Sequence, residues 1–156
     1  MEYSGGKVGR VFAARFRDGE DVYQGICEIA RRERIASATV LAIGGARRAK
    51  MVVGPKRPDG PIEPMVESFD DAREIVAVGS LHLADAKPSL HLHAAIGRGK
   101  ETLTGCPRLG LEAFLVLEVF ILEIEGLDAC RKPDPHSGLS LLSFASPKRV
   151  DLPAQK

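Results

Sequence analysis

Two histidines one residue apart are the part of this sequence whose chemistry is easiest to infer. They lie in the run Leu90-His91-Leu92-His93-Ala94. Alternate side chains of a β-strand point to the same face, so both imidazoles would lie on one face, with Cα atoms roughly 6.5–7 Å apart. From that spacing both rings can reach one metal ion at a bond length of about 2.0–2.1 Å. The pair therefore predicts a two-point metal chelate.

A third ligand must come from elsewhere in the chain, because zinc prefers four ligands and a reactive site keeps one position for water. Cys106 follows the glycine-rich turn at residues 97–100, so a short return strand would place its thiolate beside the histidines. His82, near the end of the preceding predicted strand, is the alternative third ligand. The sequence predicts zinc or another divalent transition metal, bound by His91, His93 and either Cys106 or His82.

The same residues also fit an interpretation without a metal. Two histidines can simply decorate a solvated strand face, and a cysteine can be buried as a small hydrophobic residue. Histidine at both positions of one face, with a thiol one hairpin away, is a weaker signal than two paired CxxC motifs. From spacing alone the two interpretations are level.

The first half of the chain contains predicted elements that lead up to these residues. Alternation of apolar residues over residues 10–17 predicts a strand, and the turn after it supplies possible helix caps. Apolar residues from Val22 to Ala30 then recur at helical spacing and predict an amphipathic helix. Residues 37–43 and 46–53 predict two strands, joined near Gly44-Gly45.

The second half of the chain is predicted to be mostly β-strand. The runs at residues 74–83 and 89–97 are separated by a connection of hairpin length and predict an antiparallel pair. Residues 114–124 predict a central strand, and residues 139–144 predict a short last strand. We expect an α/β (α+β) fold with a mainly antiparallel sheet and one or two packed helices. Residues 1–150 would form one domain, followed by a frayed tail at residues 151–156.

Composition restricts the classes of function. The chain has 156 residues, with 22 basic and 21 acidic side chains and a formal net charge of +1, which counts against sequence-independent binding of nucleic acid. No apolar run approaches the roughly 20 residues of a membrane helix, and the N-terminus does not resemble a secretion signal. Three widely spaced cysteines fit a reducing compartment. We expect a cytoplasmic protein without a membrane partner.

Several short motifs, taken in order, resemble the plants and prokaryotes conserved domain, called PPC. The resemblance extends over most of the chain. Its motifs are Arg-x-x-x-Gly-Glu-Asp at residues 15–21, Gly44-Gly45-Ala46, Glu74-Ile75 before a strand with Gly79, Leu90-His91-Leu92-His93, Gly105-Cys106 and Glu118-Val119. Family members usually carry histidine where Cys106 stands, and cysteine is also a good zinc ligand. The resemblance therefore supports His91, His93 and Cys106 as the metal site.

The resemblance implies a PPC-like homotrimer with sites near the subunit boundaries. Its function would be that of a metal-binding regulatory or binding module, with a small-molecule ligand or nucleic acid as a further partner. Plant members join this domain to AT-hook peptides that enter the DNA minor groove. Residues 7–10 lack the Arg-Gly-Arg-Pro core of an AT-hook. A DNA-binding role therefore follows from the family resemblance only.

A zinc-dependent enzyme is the alternative function. The PPC fold resembles that of acetolactate decarboxylase, in which histidine-bound zinc polarises a small oxo-acid. By this analogy Arg108 or Arg131 would hold the carboxylate of such a substrate. Glu118, in an apolar strand, is a candidate general base or a group that supports the metal ligands. A salt bridge to Arg131, or an exposed position on the outer face of the strand, would equally account for Glu118.

Overall fold

The structure is a computed structural model that describes residues 1–59 and 61–150. The expected tail at residues 151–156 lies outside the described residues. The described elements are β1 (Glu2–Tyr3), β2 (Lys7–Arg17), α1 (Val22–Glu33), β3 (Ser37–Pro55), β4 (Pro64–Ala84), β5 (Lys87–Arg98), β6 (Glu101–Gly105), β7 (Leu111–Glu125), β8 (Ala129–Pro133), β9 (Ser140–Phe144) and β10 (Lys148–Arg149). No helix among the described residues has the length and apolar character needed to cross a membrane.

Antiparallel pairing dominates the main sheet, whose strand order is β2-β7-β3-β4-β5-β6. The hairpin of β8 and β9 joins this sheet where Cys130 pairs in parallel with Leu83 of β4. Strands β1 and β10 form a separate two-stranded sheet. The predicted fold class, a mainly antiparallel sheet with a packed helix, is confirmed.

Helix α1 covers one face of the main sheet. Its start is capped by Asp21, whose side chain accepts a hydrogen bond from the Gln24 backbone N–H at 2.8 Å. Its buried residues, Val22, Ile26 and Ala30, belong to the same core as alternate residues of the sheet. On β5 and β7 these core residues are Leu92, Ala94, Ile96, Leu117, Val119 and Ile121.

The glycine pair at Gly44-Gly45 does not separate two strands, so that prediction was wrong. Strand β3 runs without interruption from Ser37 to Pro55. Gly44 has a φ of 135°, and the register with β7 shifts between Gly44 and Gly45. A Cβ atom at either glycine would collide with the backbone of β7. The glycines therefore allow close approach of two strands at a bulge rather than forming a turn.

The other predicted strands agree with the structure. Residues 74–83 and 89–97 fall within β4 and β5, which pair antiparallel. Residues 114–124 fall within β7, which lies between β2 and β3 in the sheet. Strand β8 was not predicted.

The sheet face opposite α1 carries apolar side chains that the described chain leaves exposed. The register aligns Phe120, Leu41, Val78 and His93 across four neighbouring strands, and directly paired residues share a face. The apolar residues Leu41, Ile43, Val76, Val78 and Phe120 are between 37% and 61% exposed. We call this surface the open face. The two histidines of β5 therefore lie on its border.

Candidate metal centre

His91 and His93 lie side by side on β5. Their intervening neighbour Leu92 is fully buried, so alternation along the strand directs both imidazoles to the exposed side. The two Nε2 atoms are 3.1 Å apart. Donor atoms around a tetrahedral metal with bonds of about 2.1 Å are roughly 3.4 Å apart, so the imidazole pair fits such an ion.

Cys106 reaches the histidines through the hairpin of β5 and β6, in which Ala94 pairs with Gly105. Just past β6, backbone hydrogen bonds of 2.8 and 2.9 Å join Cys106 to Val52, near the far end of β3. A Cβ atom at Gly105 would collide with the Val52 backbone, so glycine allows this approach. Cys106 is consequently held in place and only 5% exposed.

The structure brings these three candidate ligands together. The donor atoms of His91, His93 and Cys106 all lie within 4.8 Å of one another. The widest of these separations exceeds that between two ligands of tetrahedral zinc, so the donors would move closer together on binding one ion. Two imidazoles and a thiolate are a donor set that zinc and related transition metals prefer. The residues present therefore fit such an ion.

Tyr23 of α1 adds a polar contact that the sequence did not indicate. Its hydroxyl donates to the Leu92 carbonyl at 3.3 Å and lies 3.8 Å from the Cys106 sulfur. Burial raises the pKa of this hydroxyl well above its ordinary value, and the nearby cysteine adds to the shift. The hydroxyl therefore keeps its single proton, which goes either to the Leu92 carbonyl or, in place of that bond, to the sulfur. The amphipathic pattern of the helix could predict that Tyr23 lies on its inner face. It could not predict the contact between the Tyr23 hydroxyl and the Cys106 sulfur.

His82, the alternative third ligand, is not in this group of donors. It is 3% exposed, and its Nδ1 atom lies 3.1 Å from the Ser37 hydroxyl on neighbouring β3. Burial lowers the pKa of His82, and the charge of Arg131 lowers it further. His82 therefore belongs to the packing between β3 and β4.

The electrostatic surroundings favour the neutral, metal-binding form of His91. Burial lowers the pKa of His91, and the charges of Arg131, His93 and Arg108 lower it further, in that order. Neutral imidazole is the form that offers a lone pair to a metal.

Two cavities meet at the donor group. The larger, of about 630 Å³, is lined by His91, Cys106, Arg108 and Arg131 together with residues of β9. The second, of about 480 Å³, is lined by both histidines, Cys106, Arg108 and the connection between β3 and β4. An ion on the three donors would thus face space that a small molecule can enter.

Glu118 lies apart from this group. It is exposed on β7, where the register places it between Arg15 and Ile43 on the open face. Strands β3 and β4 separate it from the histidine strand. Glu118 therefore has an exposed position on the outer face of the strand, which is one of the alternatives that the sequence left open.

Comparison with known proteins gives the family. The family model of the Plants and Prokaryotes Conserved domain, abbreviated PCC or PPC, matches residues 3–125. The chain belongs to this family. The match ends with β7, so the β8–β9 hairpin that carries Arg131 lies beyond the residues matched by the family model. No curated protein sequence matches the chain significantly.

Solved structures agree with the PPC assignment. A metal-containing protein of Archaeoglobus fulgidus has 27% identity and a TM-score of 0.79, covering 90% of this chain and 98% of that one. A PPC protein of Pyrococcus horikoshii has 24% identity and a TM-score of 0.80, covering 97% and 100%. A candidate DNA-binding protein of Ralstonia eutropha has 23% identity and a TM-score of 0.72, covering 85% and 90%. The fold of this chain is therefore the PPC fold.

Proposed function

We propose that this protein is a metal-binding PPC module in which His91, His93 and Cys106 hold zinc or another divalent transition metal. The observation that carries the proposal is the convergence of the three donors within 4.8 Å. The similarity to a metal-containing archaeal protein supports it. In this proposal residues 1–150 act as one domain. The cytoplasm is the proposed compartment, where the free thiols of Cys27, Cys106 and Cys130 stay reduced.

The proposed site would be positively charged when occupied. One thiolate and two neutral imidazoles only partly neutralise a divalent ion. Arg108 and Arg131, which act electrostatically on His91, add further positive charge. Tyr23 would stabilise a Cys106 thiolate by turning its hydroxyl proton from the Leu92 carbonyl to the sulfur. The fourth coordination position, open to the cavities, would therefore favour an anionic ligand.

A homotrimer is the assembly that the family resemblance implies, and the open face supports self-association. Exposed Leu41, Ile43, Val76, Val78 and Phe120 form a contiguous apolar surface larger than scattered single residues. We propose that further copies of the chain bury the open face. The histidines on the border of this face would then lie near a subunit boundary.

A nucleic acid partner rests on the candidate DNA-binding descriptions of structural neighbours. The near balance of 22 basic and 21 acidic residues opposes it, because phosphate contacts supply most of the affinity for DNA. We therefore rank DNA below the metal and a small ligand as a partner.

A metal-dependent enzyme acting on a small oxo-acid is the second candidate function. The cavity of about 630 Å³ favours it, because it joins the donor group to Arg108 and Arg131. A metal ion at the donors would act there as a Lewis acid toward a carbonyl oxygen. Arg131 is the better placed of the two arginines to orient a carboxylate, because it is buried whereas Arg108 is exposed.

Titration of the metal-free protein with Co²⁺ tests the proposal. A thiolate ligand gives cobalt a strong charge-transfer absorption in the near ultraviolet. We expect this band in the wild type, its loss in Cys106→Ala and its retention in Cys27→Ala, which removes a thiol outside the donor group. Equal bands in both variants would refute the assignment of the sulfur ligand.

A further inference from the structure

Arg131 is a buried cation without an acidic partner. It lies on β8, beyond the part of the chain matched by the family model, and is 8% exposed. Among the residues that the structure describes, no carboxylate forms an ion pair with it. Burial alone lowers its pKa, with no acidic group acting in the opposite direction. Buried charges are normally paired, so this arginine calls for an anion.

The hydrogen bonds of Arg131 hold the guanidinium in place but do not neutralise it. One terminal nitrogen donates to the Ser80 hydroxyl at 2.9 Å, and the other donates to the Ser140 carbonyl at 3.4 Å. Within the described part of the chain, the buried Nε atom has no acceptor. A guanidinium has five N–H groups, so most of its donors are not used by these two contacts.

The cavity of about 630 Å³ beside Arg131 has the size of a small-molecule site. Its polar lining side chains are Ser80, Ser89, His91, Cys106, Arg108, Arg131 and Ser140, and none of the described lining residues is acidic. Leucines at positions 90, 139, 141 and 142 complete the wall. The lining thus combines positive charge with apolar surface, which suits an organic anion better than inorganic phosphate.

We propose that this cavity binds a small organic carboxylate whose carboxylate group meets the Arg131 guanidinium. The opposite end of the ligand reaches His91 and Cys106, so this second contact rests on the proposed metal site. Arg131 offers the fork of donors that matches a carboxylate, and Ser80 is its positioning residue. Arg108 is exposed and also lines the cavity, so its charge attracts the anion.

The test is calorimetric titration of the zinc-loaded protein with acetate, pyruvate and malonate, with methyl pyruvate and inorganic phosphate as comparison probes. We expect saturable binding of at least one carboxylate, and pyruvate to bind about tenfold or more tighter than methyl pyruvate, which lacks the charge. Arg131→Met should weaken carboxylate binding by about tenfold to a hundredfold. Lys132→Met, an exposed neighbour on the same strand, should leave it unchanged.

Folding and metal content keep the outcomes distinct. We expect Arg131→Met to fold with unchanged or higher thermal stability without ligand, because it removes an unpaired buried charge. Should it not fold, Ser80→Ala must weaken binding severalfold, and unchanged binding there would overturn the inference. Binding that depends on Arg131 but persists in chelated protein would remove the metal contact from the inference and keep the carboxylate site, whereas failure of the metal site itself would appear in the Co²⁺ titration.

Four results would overturn the carboxylate inference and leave the metal proposal standing. The first is that none of the three carboxylates binds saturably, and the second is that Arg131→Met binds them as tightly as the wild type does. The third is that methyl pyruvate binds as tightly as pyruvate, and the fourth is that phosphate binds through Arg131 more tightly than every carboxylate. Loss of the assembly in Arg131→Met, with no carboxylate bound by the wild type, would instead assign the anion to a carboxylate of a second copy of the chain.

Discussion

Cys106 combines a structural contact with a chemical one. Its backbone is held by hydrogen bonds to Val52, while its sulfur faces the two histidines and the Tyr23 hydroxyl. Local sequence predicted the histidine pair and the hairpin that returns the thiol, because both depend on strand alternation and a short turn. It could not predict Tyr23, which arrives from α1 through tertiary packing. The same holds for the contact between Arg131 and Ser80, whose positions are 51 residues apart.

Removal of the Tyr23 hydroxyl should weaken metal binding. Tyr23→Phe keeps the ring buried but removes the donor 3.8 Å from the sulfur. Loss of such a supporting contact typically lowers metal affinity by about tenfold to a hundredfold. Competition with a zinc chelator measures the change, and Tyr3→Phe, in the exposed strand β1, is the matched control. Equal affinities in the two variants would show that the hydroxyl does not support the sulfur.

Acidification should destabilise the metal-free protein, partly through His82. Burial keeps the pKa of His82 below its ordinary value, so the unfolded chain binds the proton more readily. The free energy of unfolding should therefore fall as the pH drops through about 6.5 toward the lower pKa of the folded state. His91, whose pKa is also lowered, contributes in the same direction.

Urea unfolding between neutral and mildly acidic pH tests the role of His82. The loss of stability on acidification should be smaller in His82→Gln than in the wild type, whereas exposed His136→Gln should behave as the wild type does. An unchanged pH dependence in His82→Gln would contradict the assignment.

Among the secondary-structure elements, periodicity predicted most strands and the helix. The glycine pair led to a wrong prediction, and the shortest strand pairing gave no signal in the sequence. Gly44-Gly45 has the composition of a turn, yet β3 continues through it, because the close approach of β7 depends on a distant strand. Strand β8 joins the sheet through a single pair, Leu83 with Cys130, which leaves no periodic signal. The cap at Asp21 is a local feature and lies in the turn that the sequence indicated as a source of helix caps.

Loss of the helix cap should lower stability without removing the fold. Asp21→Ala deletes the acceptor for the Gln24 N–H and should reduce the free energy of unfolding by about 1 kcal/mol. The midpoint of urea unfolding measures the effect. Asp59→Ala, in an exposed connection, is the matched control and should change the midpoint little. Equal effects of both substitutions would argue against capping by Asp21.

For the whole molecule, the open face is the feature that most requires a partner. Its exposed Val78 pairs in register with His93, and Val76 pairs with Ala95, so the open face and the candidate metal site are neighbours in the structure. Sequence alternation predicted the exposed side of the histidine strand. Sequence could not show that exposed residues of four strands align into one surface, because alignment depends on register. The trimer itself remains a prediction from family resemblance.

Charge on the open face should break the assembly. The wild type should have a solution mass of about three times the 16.8 kDa of one chain, and Val76→Lys/Val78→Lys should reduce it, because a lysine buried in an apolar interface loses its hydration. Light scattering after size-exclusion chromatography measures the mass. Leu109→Lys, an exposed apolar residue in the connection between β6 and β7, should leave it unchanged. A monomeric wild type would contradict the proposal that further copies of the chain bury the open face.

Metal content shows whether His91, His93 and Cys106 bind an ion. The purified wild type and the His91→Ala/His93→Ala variant are chelated gently, reloaded with zinc and analysed for elements, with circular dichroism confirming that both are folded. We expect about one metal ion per chain in the wild type and nearly none in the variant, which loses two of its three donors. A folded wild type without metal, or a variant that retains as much as the wild type, would contradict the proposed metal site.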